Sequence, residues 1–332
     1  MFGTHDRIWA VFERSIEGGI FMGQPKLCVA GVGAIGTLIS AMLGKKYSDS
    51  LSVIARGKRA ESFREKGLVL HSDFYGEVVS HPANVEENGE ALGVQDFVFV
   101  CVKNYSLDSI AKQITPCIGP DTVIIPVMNG IEPGDRLRKL FPKAHVLDSV
   151  IYTITGAQED FSAKQSGTYT YMFLGTKDKG EASVNAAHAL HEIMKSVGFD
   201  CRFAEDIEAE IWRKYILNCA FNTITARYKQ SIGPIREDPE KLKDIRGLFE
   251  EAYAVSKAIG ISLPEDLIEK QFTFMTTKQS PKATSSMERD VSAGRPTELD
   301  AFLGSLLRKA KEYNVDVPVC TRYYNELKDM SI

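Results

Sequence analysis

The sequence predicts an α/β fold: a doubly wound parallel sheet on the N-terminal side, followed by an all-helical domain. Three observations lead there. Short continuous apolar runs alternate with helix-length stretches through the first half of the chain. A glycine-rich turn directly follows the first of those runs. Beyond Gly175 no further strand run is obvious and helical periodicity takes over.

The elements follow in order. "KLCVAG" (26–31) is a continuous apolar run ending in glycine, which reads as a strand buried on both faces. "AIGTLISAMLGKK" reads as a helix and "LSVIA" (51–55) as the second strand. "KRAESFREKG" is a polar helix that Gly67 can stop. "LVLHSDFYGEVVS" alternates and predicts a hairpin. "FVFVCV" (97–102) and "TVIIPV" (122–127) are further buried strands, followed by helices near 105–114 and 131–141, and "HVLDSV" closes the series. Strands alternating with helices in this way imply right-handed crossovers in one sheet. "GTKDKGE" is a polar, glycine-flanked hinge. Helices are predicted near 181–197, 206–228, 239–259, 264–275, 281–293 and 297–313. The expected domains are therefore 22–175 and 180–330. Residues 1–21 lack a secretory pattern, because Asp6, Arg7, Glu13 and Arg14 interrupt any apolar core. Met22 stands directly before the first strand, so the preceding stretch reads as an upstream extension.

Composition narrows the function. The chain has 332 residues, 44% hydrophobic and 25% charged, enough to bury a core in two domains. A net charge of −4 with scattered Lys and Arg argues against nucleic acid or an anionic membrane as the main partner. No apolar run approaches the ~20 residues of a membrane span. The six cysteines (Cys28, Cys101, Cys117, Cys201, Cys219, Cys320) form no CxxC pair and no cluster with metal spacing. Reduced thiols in a cytoplasmic protein, with no metal site, are the expectation. His188 and His191 are spaced like a ligand pair, but no acid or third ligand joins them, and a solvated helix face is the plainer reading.

"GVGAIG" places Gly31, Val32, Gly33, Ala34, Ile35 and Gly36 between a strand and a helix. Gly31 permits the tight turn, Gly33 lets backbone approach a pyrophosphate, and Gly36 allows close helix–strand contact. The helix N-terminus then points free N–H groups at the anion. This is a Rossmann-type dinucleotide site. The end of the second strand carries no acid to hold a ribose 2′-hydroxyl; it reads "VIARGKR", with Arg56, Lys58 and Arg59. A guanidinium pairs well with phosphate, so Arg56 predicts NADP(H) rather than NAD(H). Lys103 and Asn129 stand just past strands 97–102 and 122–127, at the strand ends where such a sheet places its ligand. A solvated strand end for Lys103 and a turn-forming Asn-Gly for Asn129 remain open readings.

Helix 206–228 carries Lys214, Asn218 and Asn222 at four-residue spacing. Residues four apart drift by ~40° on an α-helix, so the three form one polar stripe flanked by Trp212, Ile216, Leu217, Ala220 and Phe221. Such a stripe suits a ligand cleft, but Glu210 also stands four residues before Lys214. On spacing alone a surface ion pair is the stronger reading.

Four stretches together resemble the ketopantoate reductase (2-dehydropantoate 2-reductase) family: "VAGVGAIG", "VMNGIEPGDRL", "IWRKYILNCAFNTITA" and "KATSSMERDVSAGRPTELDAFLG". The resemblance runs from Lys26 to Asn325. It implies a 6-phosphogluconate dehydrogenase-like helical domain after the Rossmann-type domain. It also implies NADPH-dependent reduction of ketopantoate, a 2-keto acid, to a 2-hydroxy acid on the route to pantothenate and coenzyme A. By the same resemblance Lys214 is the catalytic acid, while Asn218, Asn222, Ser286 and Glu298 hold substrate. A carboxylate such as Glu298 would also hold the Lys214 ammonium in place as its partner in catalysis. Lys103 and Asn129 fall on positions of the cofactor and substrate cleft, and Arg56 on the one that meets the 2′-phosphate. A helix cap for Ser286 and a first-turn acid for Glu298 are the competing readings. One position departs from the pattern: "QSIGP" puts Ile232 where family members can carry asparagine. That leaves a reductase of another small branched 2-keto acid as the alternative. An NADP-binding sensor without turnover is a second, disfavoured by Lys214 and Glu298. Helical second domains of this kind can pair; neither heptads nor an exposed apolar stripe decides for a homodimer.

Overall fold

The computed structural model describes residues 24–330; the expected extension at 1–21 lies outside them. The described chain forms two compact units, one built from residues up to Met128 with Pro133–Ile207, the other from Asn129–Glu132 with the residues after Ile207.

The first unit begins with β1 (Leu27–Ala30), whose four residues are all buried. Leu27 and Val29 enter one apolar cluster, Cys28 and Ala30 another. That is why the run is unbroken: both faces of the strand are covered. There follow α1 (Ala34–Tyr47), β2 (Leu51–Ile54) and α2 (Lys58–Lys66). Gly67, at φ +75°, ends α2 with its N–H on the Phe63 carbonyl at 3.1 Å. Next come β3 (Leu68–Ser72) and β4 (Gly76–Ser80), the antiparallel hairpin the alternation predicts. The unit continues through β5 (Asn84–Glu86), β6 (Phe97–Val100), α3 (Leu107–Ile114), β7 (Val123–Pro126), α4 (Pro133–Leu140) and β8 (His145–Val146). It closes with β9 (Asp148–Ala157), β10 (Ala163–Gly175), α5 (Glu181–Ser196) and β11 (Asp200–Phe203).

Six strands form a parallel sheet in the order β5-β2-β1-β6-β7-β8. This is the doubly wound order, reversing direction between β1 and β6. Leu27 stands between Leu51 and Phe97 in the register. The remaining strands form a second sheet, β11-β10-β3-β4, with β9 antiparallel to β10. "HVLDSV", expected as one strand, divides: residues 145–146 close the first sheet, and from Asp148 the chain enters the second. β11 was not foreseen. It pairs in parallel with β10, and α5 buries Ala187, Leu190, Ile193 and Met194 in the same core. The compact units accordingly divide after Ile207, beyond the glycine-flanked stretch where composition changes.

In the second unit every regular element among the described residues is helical. α6 (Ile207–Tyr228) is followed by α7 (Ile232–Arg236), α8 (Pro239–Ile259), α9 (Leu267–Thr273), α10 (Ser286–Ser292), α11 (Ser305–Glu312) and α12 (Pro318–Met330). Asp238 caps α8, accepting from Glu240 N at 3.0 Å, and Gly260 at φ +94° ends it. Single π-turns occupy 274–278 and 300–304. Trp212, Tyr215, Ile216, Ile224, Phe249 and Phe302 centre the core, joined by Ile131 from the inserted segment.

Candidate active site

The glycine loop between β1 and α1 assigns each glycine a different role. Gly31 sits at φ +90°, where a Cβ would come within 2.3 Å of the Val102 side chain. A Cβ on Gly36 would lie 2.3 Å from the Gly31 carbonyl oxygen, so the helix packs on the turn only because that atom is missing. At Gly33 the nearest atom to such a Cβ is Arg59 Nη1, at 4.0 Å. Gly33 is therefore open where the other two are closed, and no side chain caps the first amides of α1. An open glycine beside uncapped amides fits a pyrophosphate. Val32 is buried, and Ala34 and Ile35 are half-buried.

Arg56 stands two residues beyond β2 and is exposed. Arg59, in the first turn of α2, is the cation that reaches the glycine loop. Its guanidinium donates to the Val32 carbonyl and lies 5.3 Å from the Phe161 ring centroid. Burial lowers its pKa. Lys103 follows β6, half-buried, with its carbonyl accepting from Ser106 N at 2.8 Å.

In the second unit the polar stripe of α6 has defined partners. Lys214 Nζ donates to Asn129 Oδ1 at 3.1 Å. Asn129 opens the turn that Gly130 completes at φ +99°. Glu298, 4% exposed, acts on the same ammonium. Burial pulls the Lys214 pKa down from 10.5 to about 8, and the Glu298 charge opposes that shift. Both neighbours of Lys214 are anchored. Gln271 donates to the Arg213 carbonyl at 2.7 Å, and the Tyr215 hydroxyl donates to the Phe302 carbonyl. Glu210, the rival partner by spacing, stands 3.5 Å from Arg213.

One turn on, Asn218 Oδ1 accepts from Asn222 Nδ2 at 3.3 Å. Asn222 is buried, and its Oδ1 accepts from Ser286 Oγ at 3.2 Å and Met287 N at 3.3 Å. The helix cap proposed for Ser286 belongs to its neighbour: Ser285 Oγ accepts from Glu288 N at 3.0 Å. Glu298 directly precedes the helical turns that start at Leu299, so the first-turn position and the place beside Lys214 are compatible. Ile232 is fully buried in the helical core, and its N–H bonds the Ala283 carbonyl at 3.0 Å. The structure thus gathers Asn129, Lys214 and Glu298, and one turn along Asn218, Asn222 and Ser286. His188 and His191 flank the Phe203 ring at 4.7 and 4.5 Å. Among the described residues no group of three His, Cys, Asp or Glu could hold a metal.

Residues 27–179 match the family model described as ketopantoate reductase PanE/ApbA, and residues 206–331 match its C-terminal counterpart. The chain belongs to the ketopantoate reductase family. It is similar to the uncharacterized oxidoreductase YkpB of Bacillus subtilis, 31% identical over 303 residues, covering 91% of this chain and 98% of that one. A 2-dehydropantoate 2-reductase of Mesorhizobium japonicum is 26% identical over 301 residues, covering 85% and 90%. Among solved structures, a D-mandelate dehydrogenase in ternary complex with NADH and anilino(oxo)acetate superposes with a TM-score of 0.81 at 21% identity, covering 92% of this chain and 98% of that one. As a member of an oxidoreductase family, the chain carries its glycine loop inside one matched region and Lys214 to Glu298 inside the other.

Proposed function

We propose that the protein reduces a 2-keto acid to a 2-hydroxy acid with NADPH, and that ketopantoate is its substrate. The observation that carries this reading is a half-buried lysine with a pKa near 8, hydrogen-bonded to an amide and set beside a buried carboxylate. When bound, a reduced nicotinamide supplies hydride to the keto carbon. The chain supplies the rest. As negative charge grows on the keto oxygen, the Lys214 ammonium stabilises it and gives it a proton. A lysine at its ordinary pKa would be a much weaker acid; burial tunes this one toward the working pH. Asn129 and Glu298 hold the ammonium, and Asn218, Asn222 and Ser286 offer neutral donors and acceptors for the acid's carboxylate and hydroxyl. Arg56 is assigned to the cofactor 2′-phosphate, with Arg59 a second cation at the same loop, and Lys103 to the nicotinamide half. All six cysteines are free thiols, which fits a reducing compartment, and the cytoplasm is the assigned location.

A second reading, a reductase of another small branched 2-keto acid, is favoured by one observation. Ile232, buried in the helical core, is apolar where family members can carry an amide. One assay separates the two: NADPH oxidation with a panel of 2-keto acids. Ketopantoate should give the highest kcat/KM. Turnover of the others without ketopantoate selects the second reading, and NADPH binding with no turnover at all removes both.

A further inference from the structure

The segment 129–132 is held at two points. Ile131 inserts into the helical core, and Glu132 receives the Arg308 guanidinium. Arg308 comes from α11 and binds two carboxylates. Nη2 donates to Glu132 Oε2 at 3.1 Å, and Nη1 donates to Asp300 Oδ1 at 2.9 Å. Its Nη2 also reaches Ser305 Oγ at 2.9 Å, and Ser305 in turn donates to the Asp300 carbonyl at 3.2 Å.

Both carboxylates sit next to residues of the lysine site. Glu132 lies three positions after Asn129, the Lys214 acceptor, and Asp300 lies two after Glu298. Asp300 also opens the π-turn 300–304 and packs closely on Gly304, where a Cβ would lie 2.3 Å from Asp300 Oδ1. The fork of one guanidinium therefore spans the two segments that flank Lys214. Arg308 is itself half exposed, and pairs so accessible contribute little to global stability. What a planar, five-donor group does well is fix relative orientation.

We propose that Arg308 is a positioning residue of the reductase site: by tying the 129–132 turn to residues 298–300 it sets the frame of Asn129 and Glu298 around the Lys214 ammonium. The proposal rests on the reductase reading above. It differs from a simple surface staple in what its loss should do.

The test uses Arg308→Met, which keeps the stem and removes the fork, and Arg308→Lys, which keeps the charge, each alone and with Asn129→Ala. Hydrogen exchange of residues 130–132 gives a readout that needs no substrate. Arg308→Met should raise exchange there while α8 and α12 keep their protection. It should lower kcat by about 10-fold or more with NADPH Kd unchanged, as expected when reacting groups are displaced slightly. In the Asn129→Ala background the same change should cost clearly less, because one of the two groups it positions is already gone and only the Glu298 side remains to be displaced. Arg308→Lys should recover only part of kcat. Unchanged exchange at 130–132 overturns the proposal, and so does an equal fractional loss of kcat in both backgrounds. A wild-type chain that reduces no 2-keto acid sinks the parent reading instead, while the exchange arm still decides whether Arg308 holds the turn.

Discussion

At the scale of single residues, Lys214 concentrates the conflict between folding and chemistry. A lysine whose folded pKa is about 8 instead of 10.5 binds its proton less well in the native state than in the unfolded one. The difference corresponds to about 3 kcal/mol of native-state preference for the neutral amine. That penalty is fully present below about pH 8 and is relieved as pH rises from there through the unfolded value. Lys214→Met should therefore raise stability in denaturant by about 1–3 kcal/mol at neutral pH, less the loss of the Asn129 bond, and the gain should shrink above pH 8. Equal gains across the range would mean the ammonium is not desolvated. Arg56 makes a second prediction at this scale: Arg56→Glu should weaken NADPH binding by about 10-fold or more and leave NADH binding nearly unchanged, measured by fluorescence titration. The Lys214 stripe was legible from spacing, but its partner Glu298 was legible only through the family resemblance. Spacing favoured Glu210, whereas the carboxylate that acts on the ammonium is Glu298, far along the chain. Local sequence ranks neighbours on a helix; only the packed fold brings distant ones together.

Elements of the first unit were read well where the signal is local. Continuous apolar runs gave β1, β2, β6 and β7 because strands covered on both faces have no polar side to alternate with. The second sheet was legible only in its β3–β4 hairpin. Residues 70–72 of β3 pair in parallel with residues 163–165 of β10, a contact no local pattern encodes. β11, "DCRF", is only four residues long and buries just Cys201. α7 was missed for its length; α12 was missed although Cys320, Tyr323 and Leu327 recur at helical spacing and form its buried face. The glycine loop supports a paired prediction. Gly36→Ala should destabilise the protein by about 1–3 kcal/mol, since its Cβ meets the Gly31 carbonyl. Gly33→Ala should leave the unfolding midpoint nearly unchanged and weaken NADPH binding, because that position is open. Similar thermal shifts in both variants would contradict the division of roles.

For the whole molecule the decisive feature is chain topology. The helical unit is discontinuous: it takes Asn129–Glu132 from between β7 and α4. Nothing in the composition of that stretch announces a change of unit, which is why the sequence reading placed it with the sheet. Ile131 is 9% exposed within the helical core. Ile131→Ala should destabilise the protein by about 2–4 kcal/mol in chemical denaturation and lower kcat through Asn129, a pairing that a purely peripheral loop would not give. Among the described residues no helix is long and apolar enough to cross a membrane, in keeping with the low hydropathy of the chain.

Reduction by this site requires a proton to leave Lys214. The direct measurement is kcat for NADPH-dependent reduction of ketopantoate across pH, for the wild type and Lys214→Ala, with NADPH Kd determined alongside. The wild type should hold a plateau at lower pH and lose activity by about tenfold per pH unit above a pKa near 8. Lys214→Ala should lose about 10²-fold or more in kcat, lack that alkaline limb, and bind NADPH as before. A variant that keeps most of its kcat, or a wild-type profile flat to high pH, would place the acid elsewhere.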